Sequence, residues 1–276
     1  MWTLTGFADE ISPDLDEQLD TLAREAIRYM ELRCVWNTKV LDLTDEELDK
    51  VRSAVSASGV SVSSIGSPIG KVPINDPFGP HLERFRRALQ VAAVMEAAYV
   101  RVFSFFIPEG QEPVLYRDEV LERMAALAAE AGSAGVTLLH ENEKEIYGDV
   151  PARCVDILSG VGSPALRAAW DAANFVQCGV GHPYTEGYEA LRPYIEYVHV
   201  KDALAGTGKV VPAGQGDGEI PKTLTALRDA GFEGFFSLEP HLASSGKYSG
   251  FSGPELFRKA AGVFKDLLVQ RGIQWA

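Results

Sequence analysis

Short runs rich in β-branched and aromatic residues alternate along the chain with longer stretches whose apolar positions recur every three or four residues. That is the pattern of parallel strands separated by amphipathic helices. The predicted strands are WTLTGFA (2–8), YMELRCV (29–35), VSVSSIG (60–66), AYVRVFSF (98–105), VTLLHE (136–141), LRAAWDA (166–172), IEYVHVK (195–201) and GFFSLEP (234–240). Between them LDEQLDTLAREA, TDEELDKVRSAVSASG, PHLERFRRALQVAAVM and DEVLERMAALAAEAGSAG read as helices. Thr44 followed by Glu47 is a capping-box pattern, and Gly59 stands where a helix stop is expected. The sixth helix, around EGYEALRPYI, is short with an indistinct start. The last, PELFRKAAGVFKDLLVQ, has Pro254 in its first turn.

Eight strands and eight helices in strict order favour a closed (β/α)8 TIM barrel over a doubly wound sheet, which usually has fewer strands. The glycine-rich KVVPAGQGDGEIP (209–221) falls inside the seventh βα loop, and no Pro/Gly/Ser linker divides the chain. The expectation is a single domain over residues 1–276, and 46% hydrophobic content supports one large core. No run approaches the ~20 apolar residues that cross a bilayer, and MWTLTGFADEIS has no basic-then-apolar leader. Cys34, Cys154 and Cys178 are odd in number and widely spaced, so they form neither a disulfide framework nor a CxxC pair. A cytoplasmic protein without a membrane partner is therefore expected. A net charge of −13 argues against nucleic acid. It leaves room for a small anionic substrate held by a local Arg or Lys.

In such a barrel the site forms at the C-terminal ends of the strands. Asp9 and Glu10 end the first, Trp36 and Asn37 the second, and Lys71 follows the third; Arg101, Phe103 and Ser104 mark the fourth. The fifth ends in His140-Glu141-Asn142-Glu143, the sixth in Trp170-Asp171, the seventh in His199-Val200-Lys201-Asp202 and the eighth in Glu239-Pro240-His241. Singly, Asp171 suits a helix cap, His199 a core histidine and Glu239 a turn acid. Together, Glu141, Asp171, His199 and Glu239 on consecutive strands would repel one another unless a cation sat among them. Three carboxylates and one imidazole suit one divalent metal ion: Mn²⁺, Mg²⁺, Co²⁺ or Zn²⁺. His81 and His182 read as structural or surface residues.

In their order and spacing LLHENEKEIYGD, WDAANF, YVHVKDA, VVPAGQGDGEIP and FFSLEPHL, with GFADEIS and SPIGK before them, resemble the sugar phosphate isomerase/epimerase family of xylose-isomerase-like barrels. The resemblance covers most of the chain. It implies a (β/α)8 barrel with one divalent metal held by Glu, Asp, His and Glu from strands five to eight, which fall on Glu141, Asp171, His199 and Glu239. Two departures stand out. Asn174 occupies a position where epimerase relatives often carry histidine, and Lys201-Asp202 stands where many ketose epimerases place an arginine shortly after the histidine.

A metal that chelates a carbonyl and a neighbouring hydroxyl acidifies the C–H between them, and a carboxylate can then remove the proton to give a metal-stabilised enediolate. Glu141 and Glu239 are the expected acid–base pair of a sugar isomerase or epimerase. Lys201, Arg101 and His241 are candidates to steady the oxyanion or bind hydroxyls. His140 and Asn142 are candidates for substrate contact or ligand support, and Trp36, Phe103 and Phe175 for apolar walls. The partner is a small carbohydrate. The resemblance also implies a homo-oligomer, since members of the family often form dimers or tetramers, although the sequence specifies no interface. The alternative is a lyase or dehydratase that expels water or an aglycone from a keto-sugar at the same site. An apurinic-site endonuclease, which needs many histidines for three zinc ions, and a non-enzymatic sugar binder fit less well.

Overall fold

In a computed structural model of the protein, which describes residues 1–245 and 250–276, the strand runs form one parallel barrel. Its strands are β1 (Thr3–Gly6), β2 (Tyr29–Leu32), β3 (Ser61–Ile65), β4 (Tyr99–Val102), β5 (Thr137–Glu141), β6 (Leu166–Asp171), β7 (Ile195–Val200) and β8 (Phe235–Leu238). Each pairs with its sequence neighbour, β8 pairs with β1, and a parallel bridge from Phe7 to Glu31 joins β1 to β2.

The outer layer comprises α1 (Leu15–Arg24), α2 (Asp45–Ser58), α3 (Phe78–Val94), α4 (Arg117–Ser133), α5 (Pro151–Val161), α6 (Ala172–Gln177), α7 (Ile220–Asp229) and α8 (Gly253–Gln270). The expected capping box forms at α2, where Thr44 and Glu47 exchange hydrogen bonds, and Gly59 ends that helix in the left-handed conformation. Apolar stripes on these helices cover the outward faces of the strands, and this layer holds most of the core. Among the described residues no helix is long and apolar enough to cross a membrane.

Inside the barrel, alternate residues stack in layers. Tyr99 and Phe235 pack with Leu139, Ala169 and Tyr197 at the lower levels. Ser63 Oγ links Thr5 Oγ1, at 2.8 Å, to the Tyr197 hydroxyl, at 2.9 Å. Two residues further along the strands the lining becomes charged.

Three local expectations differ. β2 stops at Leu32, after a register slip between Met30 and Glu31, because Cys34–Val35 turns back onto Thr38–Lys39 as a hairpin. Trp36 and Asn37 form its tip with positive φ angles. β4 stops at Val102 because the Phe103, Phe105 and Phe106 amides donate to carbonyls of the third loop. After β6 the helical material begins earlier than expected, at Ala172, and EGYEALRPYI is broken into the end of a π-turn (Tyr184–Tyr188), a short helical turn (Glu189–Leu191) and a 3-10 turn (Arg192–Tyr194).

The seventh loop is tied down by one side chain. Asp202 Oδ1 accepts from the Ala203 and Gly218 amides, and Oδ2 from those of Gly214 and Gly216, at 2.9–3.0 Å. A side chain at Gly216 or Gly218 would collide with this carboxylate, so the glycines permit the backbone to close around it.

Candidate active site and metal centre

Glu141, Asp171, His199 and Glu239 converge at the top of the barrel, each at most 3% exposed. Each offers a ligand atom, and these atoms lie within 4.8 Å of one another. The register explains the meeting: Asp171 lies opposite His199, and His199 opposite Ser237, two residues before Glu239.

Asp171 has two roles. Its Oδ1 caps α6 by accepting from the Asn174 amide at 2.8 Å. Its Oδ2 faces the cluster without accepting a hydrogen bond, although the Lys201 ammonium lies 2.9 Å away. The Asn142 amide group clamps the backbone of Asp171 from both sides, donating to its carbonyl and accepting from its N–H. It is a strut for β6.

Glu141 Oε1 accepts from the Asn174 side-chain Nδ2 at 3.0 Å and lies 3.2 Å from His199 Nδ1; Oε2 accepts from Arg101 at 3.1 Å. Glu239 Oε1 accepts from Arg33 at 2.9 Å and lies 3.4 Å from His241 Nε2, while Oε2 accepts from Lys201 at 2.8 Å. Burial alone would raise both carboxyls. His199 and Arg101 outweigh it at Glu141, and Lys201, His241 and Arg33 outweigh it at Glu239, so both are held below the usual carboxylate range. At Asp171 burial wins over Lys201, and the carboxyl is raised. Burial disfavours charge on His199, yet Glu141 and Glu31 raise it to about 10. His241, between Glu239 and Glu10, is raised to about 9 against the same penalty.

The remaining candidates divide. Arg101, Lys201 and His241 join the cluster. His140 does not: alternation along β5 turns it to the outer side, where its ring lies against Gly148. Phe175 is buried against Trp170, with ring centroids 5.1 Å apart, and is core rather than a wall. Trp36 is 40% exposed at its hairpin tip. Phe103 is buried but carries cations on its face, with Lys71 Nζ 4.2 Å and the Arg101 guanidinium 5.0 Å from the ring centroid. Lys71 also pairs with Glu143 at 2.9 Å.

The sequence assigns no role to Arg33 or Glu31, and places Glu10 only at the end of the first strand. Arg33 bridges Asp9, at 2.8 Å, and Glu239. Glu10 accepts from the His241 amide and Ser252. Glu31 and Arg33 are two charges spaced i, i+2 in an otherwise apolar strand segment, a signal that one face points into a polar interior. Beside the cluster a cleft of about 600 Å³ is lined by Asp9, Arg33, Lys39, Pro68, Lys71 and Arg101, among others.

The donor set suits a divalent ion. It is oxygen-rich with one nitrogen, and both Asp171 Oδ2 and His199 Nδ1 are buried without a hydrogen bond. Glu141, Asp171, His199 and Glu239 are the residues that would hold it.

A parallel eight-stranded barrel with a buried carboxylate–imidazole cluster at its C-terminal mouth defines the class of protein. The chain belongs to the xylose isomerase-like TIM barrel family, whose model matches residues 19–267. It is similar to a 2-epi-5-epi-valiolone 7-phosphate 2-epimerase of Actinoplanes sp. (strain ATCC 31044 / CBS 674.73 / SE50/110), with 36% identity over 107 residues. That match spans 38% of this chain and 36% of the relative. Among solved structures, a D-tagatose 3-epimerase-like protein superposes with TM-score 0.78 at 15% identity, covering 98% of both chains. The IOLI protein with a bound zinc atom superposes with TM-score 0.74 at 17% identity, covering 98% of this chain and 97% of that one. Both structural likenesses concern the fold.

Proposed function

We propose that the protein is a divalent-metal-dependent isomerase or epimerase of a sugar or sugar-like ketone, acting by proton transfer at the carbon next to a carbonyl. The observation that carries this reading is the pair Glu141 and Glu239: two buried carboxylates held ionised on separate strands of one cluster. A bound divalent ion supplies Lewis-acid polarisation of a carbonyl oxygen. Glu141 and Glu239 remove and return the proton. Return to the same carbon from the other face inverts it, and return to the neighbouring carbon moves the carbonyl. Arg101 and Asn174 orient Glu141, Arg33 orients Glu239, and Lys201 Nζ places positive charge where an enediolate oxygen develops. Arg33, Lys39, Lys71 and Arg101 along the cleft, together with a relative named as a 7-phosphate epimerase, support including phosphorylated sugars among the substrates screened.

The same pair can drive elimination, and Asn174 in place of the histidine common in epimerases is the feature that favours it. Incubation with ketoses, aldoses and their phosphates in D₂O, with Mn²⁺ or Zn²⁺ present, separates the readings. Isomerisation or epimerisation conserves substrate mass apart from one solvent deuteron, whereas elimination releases water or an aglycone. Glu141→Gln and Glu239→Gln should each slow exchange roughly 10²–10⁴-fold with the fold retained. Undiminished exchange in both variants, or a wild-type protein that takes up no divalent ion, would sink the proposal.

A further inference from the structure

Glu31 is fully buried at the centre of the barrel, and the proposed proton transfer does not use it. A carboxylate in that position is costly unless it is compensated. Among the described residues neither of its oxygens accepts a well-aligned hydrogen bond. Two polar groups face it. The Tyr197 hydroxyl lies 2.9 Å from Ser63 Oγ, and His199 Nε2 lies 3.3 Å from Glu31 Oε2.

The imidazole has little freedom to turn. Phe7 meets it edge-on at 5.2 Å and 70°, and Tyr197 at 5.7 Å and 89°. Its two nitrogens therefore have fixed and different surroundings, with Nε2 toward Glu31 and Nδ1 toward Glu141. The β2 register slip falls at Glu31, where the backbone also bridges to Phe7. Irregularities of this kind re-aim a side chain.

We infer that Glu31 is the positioning residue of His199: its carboxylate, 3.3 Å from Nε2, is placed to accept a hydrogen bond from Nε2–H and so leaves the Nδ1 lone pair for the ion that Glu141, Asp171 and Glu239 would hold. Histidine ligands commonly have their other nitrogen anchored in this way, and the anchor sets both tautomer and orientation. The role in ion binding rests on the proposed metal site; the Glu31–Nε2 contact does not.

The test uses full-length protein labelled with ¹⁵N-histidine and long-range ¹H–¹⁵N correlation, without metal and with Zn²⁺. Nε2 should be protonated in both states, and Zn²⁺ should move the Nδ1 resonance. An unprotonated Nε2 in either state, or Zn²⁺ on Nε2, overturns the inference. Zn²⁺ affinity is then measured by chelator competition. Glu31→Leu should weaken binding roughly 10–100-fold, whereas Glu31→Gln, whose amide oxygen can still accept the N–H, should stay within about threefold of wild type. Equal affinity in all three proteins also overturns it. If Glu31→Leu does not fold, the wild-type spectra and Glu31→Gln decide. If the wild type takes no Zn²⁺, the metal reading fails, and the Nε2 resonance still tests Glu31.

Discussion

Strands β5 to β8 and strands β1 to β4 finish the same barrel mouth with different chemistry. The first group contributes Glu141, Asp171, His199 and Glu239, three carboxylates and an imidazole. The second group and its loops contribute Arg33, Lys71 and Arg101, lying over Phe7 or Phe103. Lys201, with His199 and His241, supplies positive charge from the acidic side. Arg101 and Arg33 of the basic half reach Glu141 and Glu239, while His199, Lys201 and His241 balance the same acids from within the acidic half. Buried acids that must stay ionised need counter-charges close at hand: Arg101 reaches Glu141 from the neighbouring strand, and Arg33 reaches Glu239 from the end of β2.

Breaking that balance should give the largest effect. Arg101→Met leaves Glu141 without its guanidinium, so unfolding by guanidinium chloride should show a loss of roughly 3–5 kcal/mol. Saturating Mn²⁺ should then raise the melting temperature of the variant more than that of the wild type, since the added cation replaces the missing one. Equal gains would mean that the two halves are electrostatically independent.

A smaller loss tests how the acidic half is built. Asp202→Ala removes the acceptor for four backbone amides of the seventh loop. A cost of roughly 1.5–3 kcal/mol is expected, with faster amide exchange at Ala203, Gly214, Gly216 and Gly218. An unchanged melting temperature would show that the loop closes without the carboxylate.

A third effect, confined to acid pH, concerns the loop carrying Lys71. His81 Nε2 accepts from the Gly70 amide at 2.9 Å, and burial, reinforced by Arg123, lowers its pKa from 6.5 to about 4. The folded state thus binds its proton less readily than the unfolded chain. The stability linked to a neutral His81 is present above pH 6.5 and is lost as pH falls toward 4, at up to about 1.4 kcal/mol per pH unit. His81→Gln should flatten the stability profile in that window, whereas an unchanged slope would assign it to other groups.

The legibility of the sequence follows the same division. Each strand–helix unit carries its own alternation, so the barrel could be read locally. The four acidic-half residues are reactive types at the ends of apolar runs, and their coincidence on consecutive strands stands out. Asn142 and Asn174 are harder to place because their roles depend on what the fold sets opposite them, the Asp171 backbone for one and the Glu141 carboxylate for the other. His140 sits beside Glu141 in sequence but on the other face of the strand, and adjacency misled there. In the basic half, Arg33 reads as part of an extended strand until the register slip and hairpin turn the chain back. Phe175 looked like a wall because it follows a ligand, yet its helix directs it into the core.

Asp171 divides one carboxylate between the first turn of α6 and the centre of the cluster. Fraying of that helix and release of the charge that neutralises Oδ2 are therefore one event seen from two ends. An ion that engages Oδ2 should thus change the exchange protection of one buried backbone amide, that of Asn174.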